Sequence, residues 1–115
     1  MDPRVEKLLD TEFSYRSNEK ENGDIDVFVD LEGRTVDLGC KDPRLSRIQF
    51  PKVKFLLFRI SGEDRRLTLH MMRDIDLFSA FANVELSLEE GEKIKLRMKE
   101  TSMELSIRCP SSKEG

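Results

Sequence analysis

Apolar and polar side chains alternate with a period of two along most of this chain. Over Asp24–Leu31, Ile25, Val27, Val29 and Leu31 fall on one side while Asp24, Asp26, Phe28 and Asp30 fall on the other. That is the pattern of a strand with one buried face. The same rhythm returns in Val36, Leu38 and Cys40, in Leu67, Leu69 and Met71, in Val84, Leu86 and Leu88, in Ile94, Leu96 and Met98, and in Met103, Leu105, Ile107 and Cys109.

The densest apolar run is Phe50–Met72, broken at Ser61-Gly62-Glu63-Asp64. Its first arm is apolar on both sides around Phe55, Leu56, Leu57 and Phe58, which predicts a strand at the centre of a sheet, covered on both faces. A four-residue loop at Ser61–Asp64 sets Ile60 opposite Arg65, Phe58 opposite Leu67 and Arg59 opposite Arg66. Like charges facing each other across a ladder are unfavourable, so this register calls for an acidic neighbour or an anionic partner.

Three further turns are predicted. Glu32-Gly33 reads as a two-residue hairpin turn, Glu89-Glu90-Gly91 as a three-residue loop with its glycine left-handed, and Lys99–Ser102 as the last reversal. These registers set Glu85 opposite Lys95 and Arg97 opposite Glu104. Met1–Asp10 predicts a short helix, with Asp2 as cap, Pro3 in the first turn, and Val5, Leu8 and Leu9 on one face. Glu12–Arg16 reads as a short strand, Ser17–Gly23 as a loop, and Lys41–Gln49, with Asp42-Pro43, as a connection. Arg73–Asn83 fits either a short helix, with Ile75, Phe78 and Ala82 on one face, or a bent strand.

The resulting expectation is a mainly β fold, an antiparallel hairpin meander of about eight strands forming a small barrel or a two-layer sandwich, with one or two short helices. The alternative is an α+β sheet with its helices on one face. The 115 residues make one domain over 1–109, followed by a flexible tail over 110–115.

Charge changes this picture more than composition does. The net charge is −3, yet residues 1–40 carry 5 basic and 11 acidic side chains, 41–73 carry 9 and 3, and 74–115 carry 6 and 9. Arg44, Arg47, Lys52, Lys54, Arg59, Arg65, Arg66 and Arg73 make the middle of the chain a basic island and the candidate anion- or partner-binding set. Internal pairing is the competing reading. In its specific form, Asp24, Asp26 and Asp30 neutralise part of the basic hairpin, which requires their strands to be neighbours. Phe50, Phe55 and Phe58 are the aromatics closest to this island, and Phe55 and Phe58 read as buried, so base stacking has no exposed aromatic pair to use.

Catalytic and metal chemistry find little to build on. His70 is the one histidine, on the outward side of its strand, with no nucleophile motif to serve. The Asp24/Asp26/Asp30 face lacks the spacing of a calcium loop, because alternate strand residues stand about 7 Å apart. Cys40 and Cys109 lack the paired spacing of a zinc site and read as buried thiols, and no glycine pattern matches a phosphate loop. No cofactor is expected. No run reaches membrane-spanning length, and neither a leader nor a disulfide pattern is present, so a cytoplasmic protein is expected.

The leading functional expectation is a non-catalytic protein–protein interaction module, with a second copy of the chain among the candidate partners. The alternatives are an RNA- or DNA-binding domain using the basic hairpin, and a carrier with a small apolar ligand inside a barrel.

Overall fold

A computed structural model describes residues 3–39, 42–45, 55–62, 65–72 and 80–107. The chain begins with a helix, α1 (Pro3–Leu8), and continues through β1 (Leu9–Thr11), β2 (Tyr15–Glu19), β3 (Ile25–Asp30), β4 (Thr35–Leu38), β5 (Phe55–Ile60), β6 (Arg66–Met72), β7 (Ala80–Ser87), β8 (Ile94–Met98) and β9 (Ser102–Ile107). The strands form two sheets, one ordered β1-β8-β9-β4 and the other β2-β3-β5-β6-β7. Their inner faces share a single core. The mainly β expectation holds in its sandwich form; the barrel is not closed.

β5 lies at the centre of the five-stranded sheet, as its apolar run predicts. Only one of its faces is fully covered. Leu56, Phe58 and Ile60 are buried, while Phe55, Leu57 and Arg59 on the opposite face are half-buried. The expectation that Phe55 is buried with Phe58 is therefore corrected. β5 is flanked by β3 and β6, so the acidic strand and the basic hairpin are neighbours, as internal pairing requires.

The β5–β6 register differs from the expected one by two residues. Ile60 pairs with Leu67 and Arg59 with Thr68, so Arg59 and Arg66 do not face each other. Ser61 N–H donates to Arg66 O at 2.9 Å, which makes the four-residue loop 62–65 rather than 61–64. Sliding the loop by one residue moves the register by two, and a shift of two leaves every side chain on its expected face. The slide brings Gly62 against Gly23, where a Cβ on Gly62 would stand 2.7 Å from the Gly23 carbonyl oxygen. Gly62 N–H also donates to Asp24 Oδ1 at 3.1 Å.

Two of the expected hairpins are crossovers between sheets. At Glu32 and Gly33 the φ angles are +57° and +81°, and Arg34 N–H donates to Leu31 O, so the predicted tight turn is present. The strand after it does not pair with β3, however; β4 pairs in parallel with β9. Likewise Gly91 has φ +85° and Glu92 N–H donates to Glu89 O, yet β7 pairs with β6 while β8 pairs with β1 and β9. Glu85 consequently faces Thr68 rather than Lys95. The β1–β8 pairing is also parallel, so the meander is broken at both edges of the four-stranded sheet. The final hairpin is as predicted, with Arg97 opposite Glu104 and Lys99 N–H closing onto Ser102 O.

The helix at the N-terminus tucks Val5 and Leu8 into the core, and Leu9 follows from β1. Ser17–Glu19 are strand rather than loop: they end an edge strand whose residues after Tyr15 are exposed on both faces, so no alternation marks them. Ala80–Asn83 belong to β7, which excludes the helical reading of Ala82. Residues 73–79, Asp2, Cys40, Cys109 and the 110–115 tail lie outside the described residues.

Candidate interaction surface

The ladder registers define the outward face of the five-stranded sheet row by row. One row runs Arg16, Phe28, Leu57, His70, Asn83; the next runs Asn18, Asp26, Arg59, Thr68, Glu85; Asp30 and Phe55 stand side by side beyond the first. Phe28 and Phe55 meet edge to face, with ring centroids 5.5 Å apart at an interplanar angle of 62°. With Leu57 they make a half-buried apolar centre.

The outward face of the four-stranded sheet has no counterpart. There Asp10 is paired with Lys95 and Ser106, Arg97 with Glu104 and Asp37, and Ser102 with Thr35. Arg97 binds Asp10 through both guanidinium nitrogens at 2.7 and 3.3 Å, and this hydrogen bonding holds the Asp10 carboxyl below its usual range. Lys99 stands 3.9 Å from Glu104. Arg97 and Lys99 are thus offset by Glu104, which the expected register set opposite Arg97, and Lys95 is faced by Asp10 in place of Glu85.

Among the described residues the basic island divides into two pairs. Arg44 and Arg65 converge on the turn between β7 and β8. Arg44 clamps Asp42 and Glu92 together, with contacts of 2.9 Å to Asp42 Oδ2 and 3.0 and 3.1 Å to the two Glu92 oxygens. It also donates to Ser87 O at 3.1 Å. Arg65 donates to the backbone oxygens of Glu89 and Glu92 at 3.2 and 2.7 Å. Glu92 is the buried charged side chain among the described residues, and the Glu89 N–H donates to it as well. This cluster is a structural clasp that ties segment 42–45 and the β5–β6 loop to the turn.

Arg59 and Arg66 occupy the outward face instead. They border an open groove of about 410 Å³ with Asp24, Ser61, Thr68 and Glu85. Asp26 accepts from Arg59 Nε at 2.8 Å and from a second guanidinium nitrogen at 3.2 Å, with Lys20 3.6 Å away. Burial pushes the Asp26 carboxyl up, but the hydrogen bonds and charges of Arg59 and Lys20 together hold it below its usual value. Arg47, Lys52, Lys54 and Arg73 lie outside the described residues.

His70 has Leu57 and Asn83 as its cross-strand neighbours, and its Nδ1 contacts Asn83 Oδ1. Among the described residues, the ladder gives His70 an aliphatic side chain and an amide as neighbours rather than a nucleophile or a carboxylate. The surface residues that charge-based reasoning passes over are Phe28 and Leu57. The outward parity of Phe28 among three aspartates was their only signal in the sequence. Compared with family models, curated proteins and solved structures, the chain matches none.

Proposed function

We propose that this chain is a non-catalytic protein–protein interaction module whose contact surface is the outward face of the five-stranded sheet. The observation that carries the reading is the difference between the two outer faces among the described residues: the outward ladder pairs of one are polar, while the other holds Phe28, Phe55 and Leu57 at its middle with charges around them. An apolar centre with a charged border is the anatomy of a protein contact. The fitting partner offers apolar side chains to this centre and a carboxylate to the exposed Arg16 beside Phe28.

Nucleic acid fits the same face less well. Among the described residues Arg16, Lys20, Arg59 and Arg66 share it with Asp24, Asp26, Asp30 and Glu85, so these side chains together offer phosphates no net positive charge. The carrier reading gains no support from the described residues, because apolar side chains from both sheets fill the space between them.

The test places a photo-reactive phenylalanine analogue at Leu57 and, as a control on the opposite face, at Lys95. Crosslinking to a discrete protein from position 57 and not from 95 is expected. Binding of that purified protein then falls by about 30-fold in Phe28→Thr/Leu57→Thr, the loss typical of central contact residues. Equal binding by the double variant, or a nucleic-acid adduct from position 57, overturns the reading.

A further inference from the structure

Among the described residues β7 is the longest strand, and it lies at the end of its sheet. The other three edges are short or charged: β1 has 3 residues, β4 has 4, and β2 has 5 with Arg16 and Glu19 among them. Edge strands are ordinarily protected by shortness, lysine, proline or bulges. The eight residues AFANVELS hold one charge and neither lysine nor proline, and the bulge of the strand falls between Ala80 and Ala82, short of Asn83–Ser87.

The direction of the free backbone groups follows from one hydrogen bond. Leu88 N–H donates to Arg65 O at 2.9 Å, in register with Arg66 opposite Ser87. In an antiparallel ladder alternate residues turn their N–H and C=O to the same neighbour. Leu86 and Val84 therefore bond to β6, while Ser87, Glu85 and Asn83 aim their backbone groups at the open edge. Ser87 O is already held by Arg44, which closes the edge at that end.

We propose that the β7 edge pairs antiparallel with the β7 edge of a second copy of this chain, in the register that sets Asn83 opposite Glu85. Edge bonding requires odd residues to face odd residues, which leaves three central registers. Glu85 opposite itself brings two carboxylates together, and Asn83 opposite itself sets Glu85 against Phe81. The third places Asn83 opposite Glu85 twice, across a two-fold axis at Val84, where inward-facing Val84 meets its own copy. Asn83 is prepared for this pairing: His70 engages its Oδ1, leaving Nδ2 to donate to the partner's Glu85 carboxylate. The resulting ten-stranded sheet joins two copies edge to edge and leaves the Phe28/Phe55/Leu57 centre of each copy open, so it stands apart from the interaction surface proposed above.

The experiment is sedimentation equilibrium of the full chain across a concentration series, with far-UV circular dichroism to verify folding. Asn83 and Glu85 are both exposed, so their substitutions spare the core. The wild-type chain is expected to reach a dimer. Asn83→Asp sets two carboxylate pairs across the seam and weakens the dimer about tenfold. Asn83→Asp combined with Glu85→Lys makes both pairs opposite in charge and restores it. A chain that stays monomeric at every concentration, a dimer indifferent to Asn83→Asp, or a failure of the double variant to restore association each overturns the proposal.

Discussion

Asp26 and Arg59 face each other across the β3–β5 ladder and meet through two hydrogen bonds of 2.8 and 3.2 Å. This pair accounts for why a basic hairpin can lie against an acidic strand in the middle of a sheet. It also absorbs one of the arginines that would otherwise mark an anion site. Its energetic contribution is limited by solvent, since the Arg59 side chain is 41% exposed. A double-mutant cycle with Asp26→Ala and Arg59→Ala should return a coupling of about 0.5–1 kcal/mol, shrinking as salt is raised. Urea melts at two ionic strengths measure it, and additive single effects would mean that the ladder rather than the pair sets the register.

Glu92 predicts the behaviour in acid. Hydrogen bonds from Arg44 hold its carboxyl below the usual range against a burial that pushes it up, and the same guanidinium lowers Asp42. A carboxyl lowered in the folded state adds stability above its unfolded value, 4.5 for Glu92, and loses it as pH falls through the folded one. Glu92→Gln should therefore cost about 1–2 kcal/mol near neutral pH, because Arg44 loses its charged partner and keeps only part of the hydrogen bonding. The gap between wild type and variant should narrow between neutral pH and acid, as pH falls below 4.5 and then through the lower folded value of Glu92. Urea midpoints at neutral and acid pH decide it; a gap of constant size would assign Glu92 a packing role instead.

Much of the architecture was legible because period-two alternation survives wherever one face of a strand is buried. Ile25, Val27 and Val29, the inward sets of β6 and β9 over the described residues, Ile94 and Leu96 of β8, and the central place of β5 all follow from it, whereas Met98, expected inward, is exposed at the end of β8. The Ser17–Glu19 part of β2 escaped because the end of an edge strand that is wet on both faces has no alternation to show. The crossovers after β3 and β7 escaped for a different reason. A turn with left-handed residues, such as Glu32-Gly33, joins two inward-facing strands equally well whether they pair in one sheet or face each other across a core. At the candidate surface the arginines were visible, and Asp26 was among the counter-ions expected for the basic hairpin, but Glu92 was not. Asp26 lies 33 residues from Arg59, and Glu92 lies 48 from Arg44. Leu57 was hidden by its own neighbours, because a run apolar on both sides reads as covered on both.

The β5–β6 loop supplies the last prediction, since its position depends on one close approach. Gly62 has no room for a side chain: a Cβ would lie 2.7 Å from Gly23 O and 2.8 Å from Gly23 C, both backbone atoms. Gly91 has the opposite constraint, a left-handed φ of +85° with nothing within 4 Å of its Cβ position. Asparagine tolerates the left-handed region but cannot avoid a backbone clash. Gly91→Asn should therefore shift stability by less than about 0.5 kcal/mol, whereas Gly62→Asn should cost about 1–3 kcal/mol as the loop is forced away from Gly23. Thermal melts of the two variants side by side measure the difference. If Gly62→Asn melts with the wild type, the loop can slide back to 61–64, and Arg59 and Arg66 then face each other after all.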